Sequence, residues 1–184
     1  MLTRKDRQRF ESLTLPHMPA AYNLALWLVR NPAEAEDIVQ TTYLKAFEAF
    51  DRFSGYSAAA WIMTIIRNTA FTQLSKNKKT NNLVSFDEVI HQSSKQDKNS
   101  FDLSPEESLI QHSTKVQVAE CIDRLTIEYR EALFLRDIEG YSYKEISDIT
   151  QVPKGTVMSR LSRAREQLQK MMQAQQVQEK RREL

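Results

Sequence analysis

The segment Tyr141–Arg165, YSYKEISDITQVPKGTVMSRLSRAR, is organised as two helices around a tight turn. Projected at about 3.6 residues per turn, Val157, Leu161, Ala164, Leu168 and Met171 share one side of the second helix. Ser159, Ser162, Arg163 and Glu166 fall opposite, with Thr156 and Arg160 on one flank and Met158 and Arg165 on the other. The first helix, Ser142 to Thr150, buries Ile146 and Ile149, and Gln151-Val152-Pro153 supplies the turn. Short polar residues and arginine facing outward on the second of two short helices are what a helix-turn-helix needs to enter a DNA major groove. The competing reading is an amphipathic surface helix whose arginines are merely solvated.

The chain around this segment is all-α in pattern. With only 3 Gly and 5 Pro in 184 residues it lacks the turns of a sandwich or barrel, and helical periodicity recurs through most of its length. That length suits one or two small domains. Net charge is only +2, so the chain is not polybasic throughout. Its charge is uneven instead: from Lys154 to Arg182 the basic residues Lys154, Arg160, Arg163, Arg165, Lys170, Lys180, Arg181 and Arg182 face only Glu166 and Glu179. A positive C-terminal end implies one polyanion-binding face.

Chemistry-bearing clusters are missing from the sequence. Cys121 is the only cysteine, which excludes an internal disulfide and a CxxC metal site. Lying on an apolar stripe with Val118 and Ile122, it is either a buried structural thiol or a redox sensor. His17, His91 and His112 show no ligand spacing. No paired carboxylates, nucleophile–base set or Gly-rich phosphate loop is present, so the expectation is a non-enzyme without metal or cofactor. No signal peptide is visible and no apolar run approaches the roughly 18 residues of a membrane span, so a cytosolic location is expected.

Helical pattern runs from Arg4 to Val29, Ala33 to Phe50 and Ser57 to Leu74, then resumes near Pro105. Between lies a polar stretch, with KNKKTNN and HQSSKQDKNS, that reads as a flexible tether. VSFDEVI at its centre either binds something in extended form or makes a short strand or helical turn. The boundaries expected are an N-terminal unit 1–76, a linker 77–104, a C-terminal helical unit 105–172 and a basic tail 173–184.

Two further faces stand out in the N-terminal half. After the Asn31-Pro32 break, Ile38, Val39, Tyr43, Ala46 and Phe50 form a buried stripe, while Asp37, Gln40, Thr41, Leu44 and Glu48 share the other face. An outward leucine in an acidic polar strip is either a protein-docking surface or a solvated face. In the next helix Ala58, Ile62, Ile65, Ile66 and Thr69 make the core stripe. Trp61, Thr64, Asn68 and Phe71 lie on a different face, flanked by Arg67 and followed by Lys76, Lys78 and Lys79. Aromatics beside an amide and positive charge make a platform for unstacked bases. The alternative is that Trp61 and Phe71 pack against the first helix.

In this order, the three faces resemble the extracytoplasmic-function class of bacterial RNA polymerase sigma factors. The resemblance rests on AEAEDIVQTTYLKAFEAFDRFSGYSAAAWIMTIIRNTAFTQL and on IDRLTIEYREALFLRDIEGYSYKEISDITQVPKGTVMSRLSRAREQL. The second block alone is also similar to other helix-turn-helix activators; the two together are specific.

The resemblance implies a role for each face. The helix Ala33–Phe50 would dock on the clamp helices of the polymerase largest subunit, with Asp37 and Gln40 at contact positions and Thr41 where glutamate is usual. Leu44 and Glu48 complete that surface. The turn Phe53–Ser57 and the helix through Asn68 correspond to the element that captures a flipped base of the −10 strand. Extrusion costs a few kcal/mol, which a stacking and hydrogen-bonding pocket offsets. Asn68 is the base-reading candidate, with Tyr56 and Trp61 as walls and Arg67 alongside. The helix Lys154–Lys170 corresponds to the −35 recognition helix, with Thr156, Ser159, Arg160 and Arg163 at DNA-facing positions and Lys144 reaching backbone phosphate. Met158 stands where a basic residue is common. An anti-sigma factor is implied as a further partner.

The sequence thus predicts two small helical domains on a tether, acting as a promoter-specificity subunit of core RNA polymerase. The rival is a free-standing dimeric helix-turn-helix regulator that binds DNA without polymerase. A protein-only adaptor would leave Arg160 and Arg163 without a purpose.

Overall fold

The computed structural model describes residues 3–53, 57–81 and 117–182, and the regular elements among them are helical. An N-terminal unit contains α1 (Arg4–Thr14), α2 (Met18–Val29), α3 (Pro32–Glu48) and α4 (Ala58–Asn81). A C-terminal unit contains α5 (117–123), α6 (Ile127–Leu133), α7 (Tyr143–Thr150) and α8 (Lys154–Arg182).

The periodic stretch from Arg4 to Val29 is two helices rather than one. Pro16 and Pro19 lack the N–H groups that a continuous helix would use, and Leu15–His17 forms a 3₁₀ turn between them. α1 opens with a capping box: the Thr3 hydroxyl accepts from the Asp6 amide at 3.2 Å, and the Asp6 carboxylate accepts from the Thr3 amide at 2.9 Å. α3 begins where the break at Asn31-Pro32 predicts. Asn31 caps the Glu34 amide and proline takes the first turn, where its missing donor costs nothing.

α3 and α4 pack against each other and against α2. Leu24, Leu28, Ile62, Met63 and Ile66 are fully buried there, each contributing about 1.5–3 kcal/mol by leaving water. Phe10 joins α1 to this layer, meeting Phe47 and Phe50 edge-on at 5.2 and 5.3 Å. The Tyr43 hydroxyl donates to the Thr14 carbonyl at 2.9 Å, and burial pushes its pKa up to about 12. α4 continues past Leu74 to Asn81, because its Ser, Lys and Asn residues include no Gly or Pro to stop it. VSFDEVI and most of the expected linker lie outside the described residues.

In the C-terminal unit α6 runs into a π turn, Phe134–Ile138, closed by the Glu139 amide donating to the Phe134 carbonyl at 3.0 Å. Gly140, at φ 75°, reverses the chain. α7 then starts on a second capping box, Ser142 with Glu145. Its last turn ends on Gln151, which at φ 57° occupies a left-handed conformation that glycine would take more readily. The Val157–Leu161–Ala164 stripe of α8 closes on Ile146, Ile149, Phe134 and Leu135, all buried. Beyond this core α8 continues as helix to Arg182, so residues expected as a tail extend it. Cys121 is buried, and its thiol donates to Gln175 Oε1 at 3.1 Å, tying α5 to the distal part of α8.

The two units share one continuous core, with α4 against α7 and α2 against α6. Trp27 of α2 bridges them: its ring lies 5.4 Å from Phe134, and its Nε1 donates to the Arg130 carbonyl at 3.0 Å. No helix among the described residues is long and apolar enough to cross a membrane.

Candidate nucleic-acid interfaces

Three surfaces carry the residues singled out by sequence. On α3, Asp37, Gln40, Thr41, Leu44 and Glu48 are all exposed, and Leu44 keeps 67% of its surface in water. Leu44 forms one wall of a hollow of about 600 Å³ between α1 and α3, with Phe10, Met18, Val39, Tyr43 and Phe47. The Arg7–Glu11 ion pair, at 2.9 Å, lies on its edge. This surface is apolar at its centre and polar around it, as protein-docking faces are. Met18 and Phe47 were not singled out by sequence, since the hollow requires two helices separated by a turn.

On α4, Asn68, Phe71, Thr72, Ser75 and Lys76 line a groove of about 570 Å³. Asn68 is exposed, and its Oδ1 accepts from Arg67 Nη1 at 3.1 Å, which leaves its amide NH₂ as the donor for a ligand. The Arg67 guanidinium stacks on the Phe71 ring at 4.4 Å. Thr72 and Ser75 were missed, although they stand four and seven positions beyond Asn68 on the same helical face, a signal in the sequence.

Trp61 is not beside Asn68 in this groove. It is half-buried and packs on Phe53 at 4.8 Å and Phe50 at 6.4 Å, so it braces the turn before α4. Tyr56 lies outside the described residues.

Arg67 has a third partner. Its Nε donates to Glu131 Oε1 at 2.7 Å, across the seam between the two units. Glu131 is fully buried, and its other oxygen has no hydrogen-bond partner. Burial pushes its carboxyl pKa up, while Arg67 and Arg160 pull it down. Neither Glu131 nor Trp27 carries a sequence signal, because each meets its partner across a large chain separation.

On the helix-turn-helix, Lys144, Ser159 and Arg163 are exposed while Thr156 and Arg160 are half-buried. The Ser159 hydroxyl donates back to the Thr156 carbonyl at 3.0 Å. Arg165, on the flank, grips Asp137 with Nη2 and Nε at 2.5 and 3.2 Å, and the hydrogen bond to that carboxylate raises its pKa. It braces its own unit. Met158 is exposed at 54%, where a basic residue was expected.

The two halves match two families separately. Residues 13–80 match Sigma-70 region 2, and residues 115–168 match Sigma-70, region 4. The RNA polymerase sigma-H factor of Pseudomonas aeruginosa is 32% identical over 174 residues, spanning 92% of this chain and 89% of that protein. The chain belongs to the extracytoplasmic-function class of RNA polymerase sigma factors. The ECF RNA polymerase sigma-E factor of Escherichia coli strain K12 is 29% identical to this sigma factor over 170 residues, spanning 91% of this chain and 88% of that one. Among solved structures, the sigma factor RpoE in complex with the anti-sigma factor NepR from Bartonella quintana covers 90% of this chain and 98% of that one. Its TM-score is 0.70 at 29% identity.

Proposed function

We propose that this sigma factor binds core RNA polymerase through α3, reads the −35 duplex with α8 and captures a melted −10 base in the groove of α4. The observation that carries this reading is the pairing, in one chain, of a groove holding Asn68, Phe71 and Lys76 with a helix presenting Ser159 and Arg163 outward. A duplex reader needs an exposed helix of short polar and arginine side chains. A single-strand reader needs a stacking surface beside a hydrogen-bonding amide. A free-standing regulator has use for the first and none for the second.

The proposed division of labour follows 1–76 for docking and −10 recognition, 77–104 as tether, 105–172 for −35 recognition and 173–184 as a basic extension. Leu44 enters an apolar site on the largest-subunit clamp helices, with Asp37, Gln40, Thr41 and Glu48 around it. Lys144 contacts phosphate. The subunit is not catalytic; the polymerase performs the chemistry in the cytoplasm, and an anti-sigma factor holds the subunit in reserve.

Run-off transcription with purified core polymerase on a promoter library tests the reading. Transcripts that require this protein and share one two-element motif are expected. Tight binding to a DNA palindrome with no polymerase present would overturn it. Asn68→Ala should impair open-complex formation, followed by permanganate footprinting, while binding to core polymerase is unchanged.

A further inference from the structure

Met158 is a large apolar side chain on the outward surface of α8, and the fold does not need it. It keeps 54% of its surface in water and lies outside the buried core. Its place is near the N-terminal end of α8, which begins at Lys154, and that end of a recognition helix is the one that meets base edges. Along its row of the helix the neighbours are small. Gly155, three positions before it, has no side chain, and Ser162, four positions after it, is an exposed serine. A Cβ on Gly155 would meet nothing within 4 Å, so the space beside Met158 is open. The thioether therefore projects beyond its row.

The polar groups flanking it are engaged. The Ser159 hydroxyl donates to the Thr156 carbonyl at 3.0 Å, and Arg165, on the same flank, is held by Asp137. Methionine offers a base no charge and no strong hydrogen bond. Arginine at such a position can bond guanine bidentately, and methionine cannot. Of the groups that base pairs present in the major groove, the thymine C5-methyl is the apolar one.

We propose that Met158 reads a thymine of the −35 element by packing its thioether on the C5-methyl group, and so sets part of the specificity of α8. The proposal rests on α8 entering the −35 major groove. An unbranched, polarizable side chain suits the contact, because it adapts to the methyl without displacing its neighbours.

The test uses holoenzyme, formed from the full chain and core polymerase, with a promoter taken from the library selection. Each thymine of the −35 element, on either strand, is replaced in turn by deoxyuridine. This removes the methyl and leaves every hydrogen-bonding group in place. Competition against a labelled promoter then gives relative affinities. Wild type should lose about fourfold at one position, the worth of one methyl withdrawn from water. Met158→Ala, which leaves the buried stripe of α8 untouched, should bind the thymine and deoxyuridine promoters equally. A wild type indifferent to every replacement overturns the proposal. So does a Met158→Ala protein that keeps the wild-type discrimination, the result expected if the side chain packs on deoxyribose or on polymerase. A holoenzyme that selects no −35 motif at all counts against the −35 reading of α8 itself, and the proposal falls with it.

Discussion

α8 and α4 each carry a proposed promoter contact, but their arginines are placed differently. Arg163 on α8 stands in solvent with its helix anchored from behind by Val157, Leu161 and Ala164. Arg67 on α4 is turned into the seam, stacked on Phe71 and paired with a carboxylate from the other unit. The same residue type is therefore available on one helix and committed on the other. An outward position on a helix says nothing about whether another part of the chain covers it.

The largest change to this contrast should come from Phe134→Ala. Phe134 is 1% exposed, meets Trp27 and belongs to the C-terminal core, so its loss should cost about 3–5 kcal/mol. Urea denaturation followed by circular dichroism should show the C-terminal unit failing first, with seam and recognition helix lost together. Trp27→Ala should separate them, opening the seam while the recognition helix stays folded.

Arg163→Ala should weaken binding to a −35 duplex by roughly 1–3 kcal/mol if the side chain bonds a base bidentately. Fluorescence anisotropy across −35 variants decides the role: a loss confined to one base position marks base reading, and a uniform loss marks phosphate contact. Ser142→Ala removes the hydroxyl that caps α7 and should lower the melting stability of the C-terminal unit by about 1 kcal/mol.

The smallest effect is on pH. Glu131 faces Arg67 on α4 and Arg160 on α8, with Glu128 on its own helix, and burial raises its pKa in the folded protein. Unfolding exposes it and returns it to the ordinary glutamate value. The folded form then binds a proton that the unfolded form has released, so the fold gains stability as the pH falls through the raised value toward the ordinary one. This contribution is lost as the pH rises through the raised value. Urea denaturation across that window should show this gain in acid, and Glu131→Gln should remove that part of the dependence.

Much of the site was legible because it follows from helical period. The exposure of Asp37, Gln40, Thr41, Leu44 and Glu48, and the inward stripe of α8, depend on residues three and four apart on one helix. The split at Leu15–His17 was signalled by two prolines that the apolar period overrode. Thr72 and Ser75 were readable but needed the groove to single them out. Trp61 was read as part of the Asn68 face, yet it braces Phe53, because a large ring on a helix flank is claimed by the nearest aromatic neighbours.

By itself the sequence determined the helices, their buried faces, the helix-turn-helix and the pairing of two signatures that identifies the family. These are local properties, set by side-chain spacing, capping residues and prolines. Only the tertiary structure decided that Trp27 seats on Phe134 and that Arg67 spends its charge on Glu131. Those contacts join residues 107 and 64 positions apart (134 − 27 and 131 − 67). No periodicity spans such separations, because the ordering is imposed by the packing of whole units rather than by neighbouring residues.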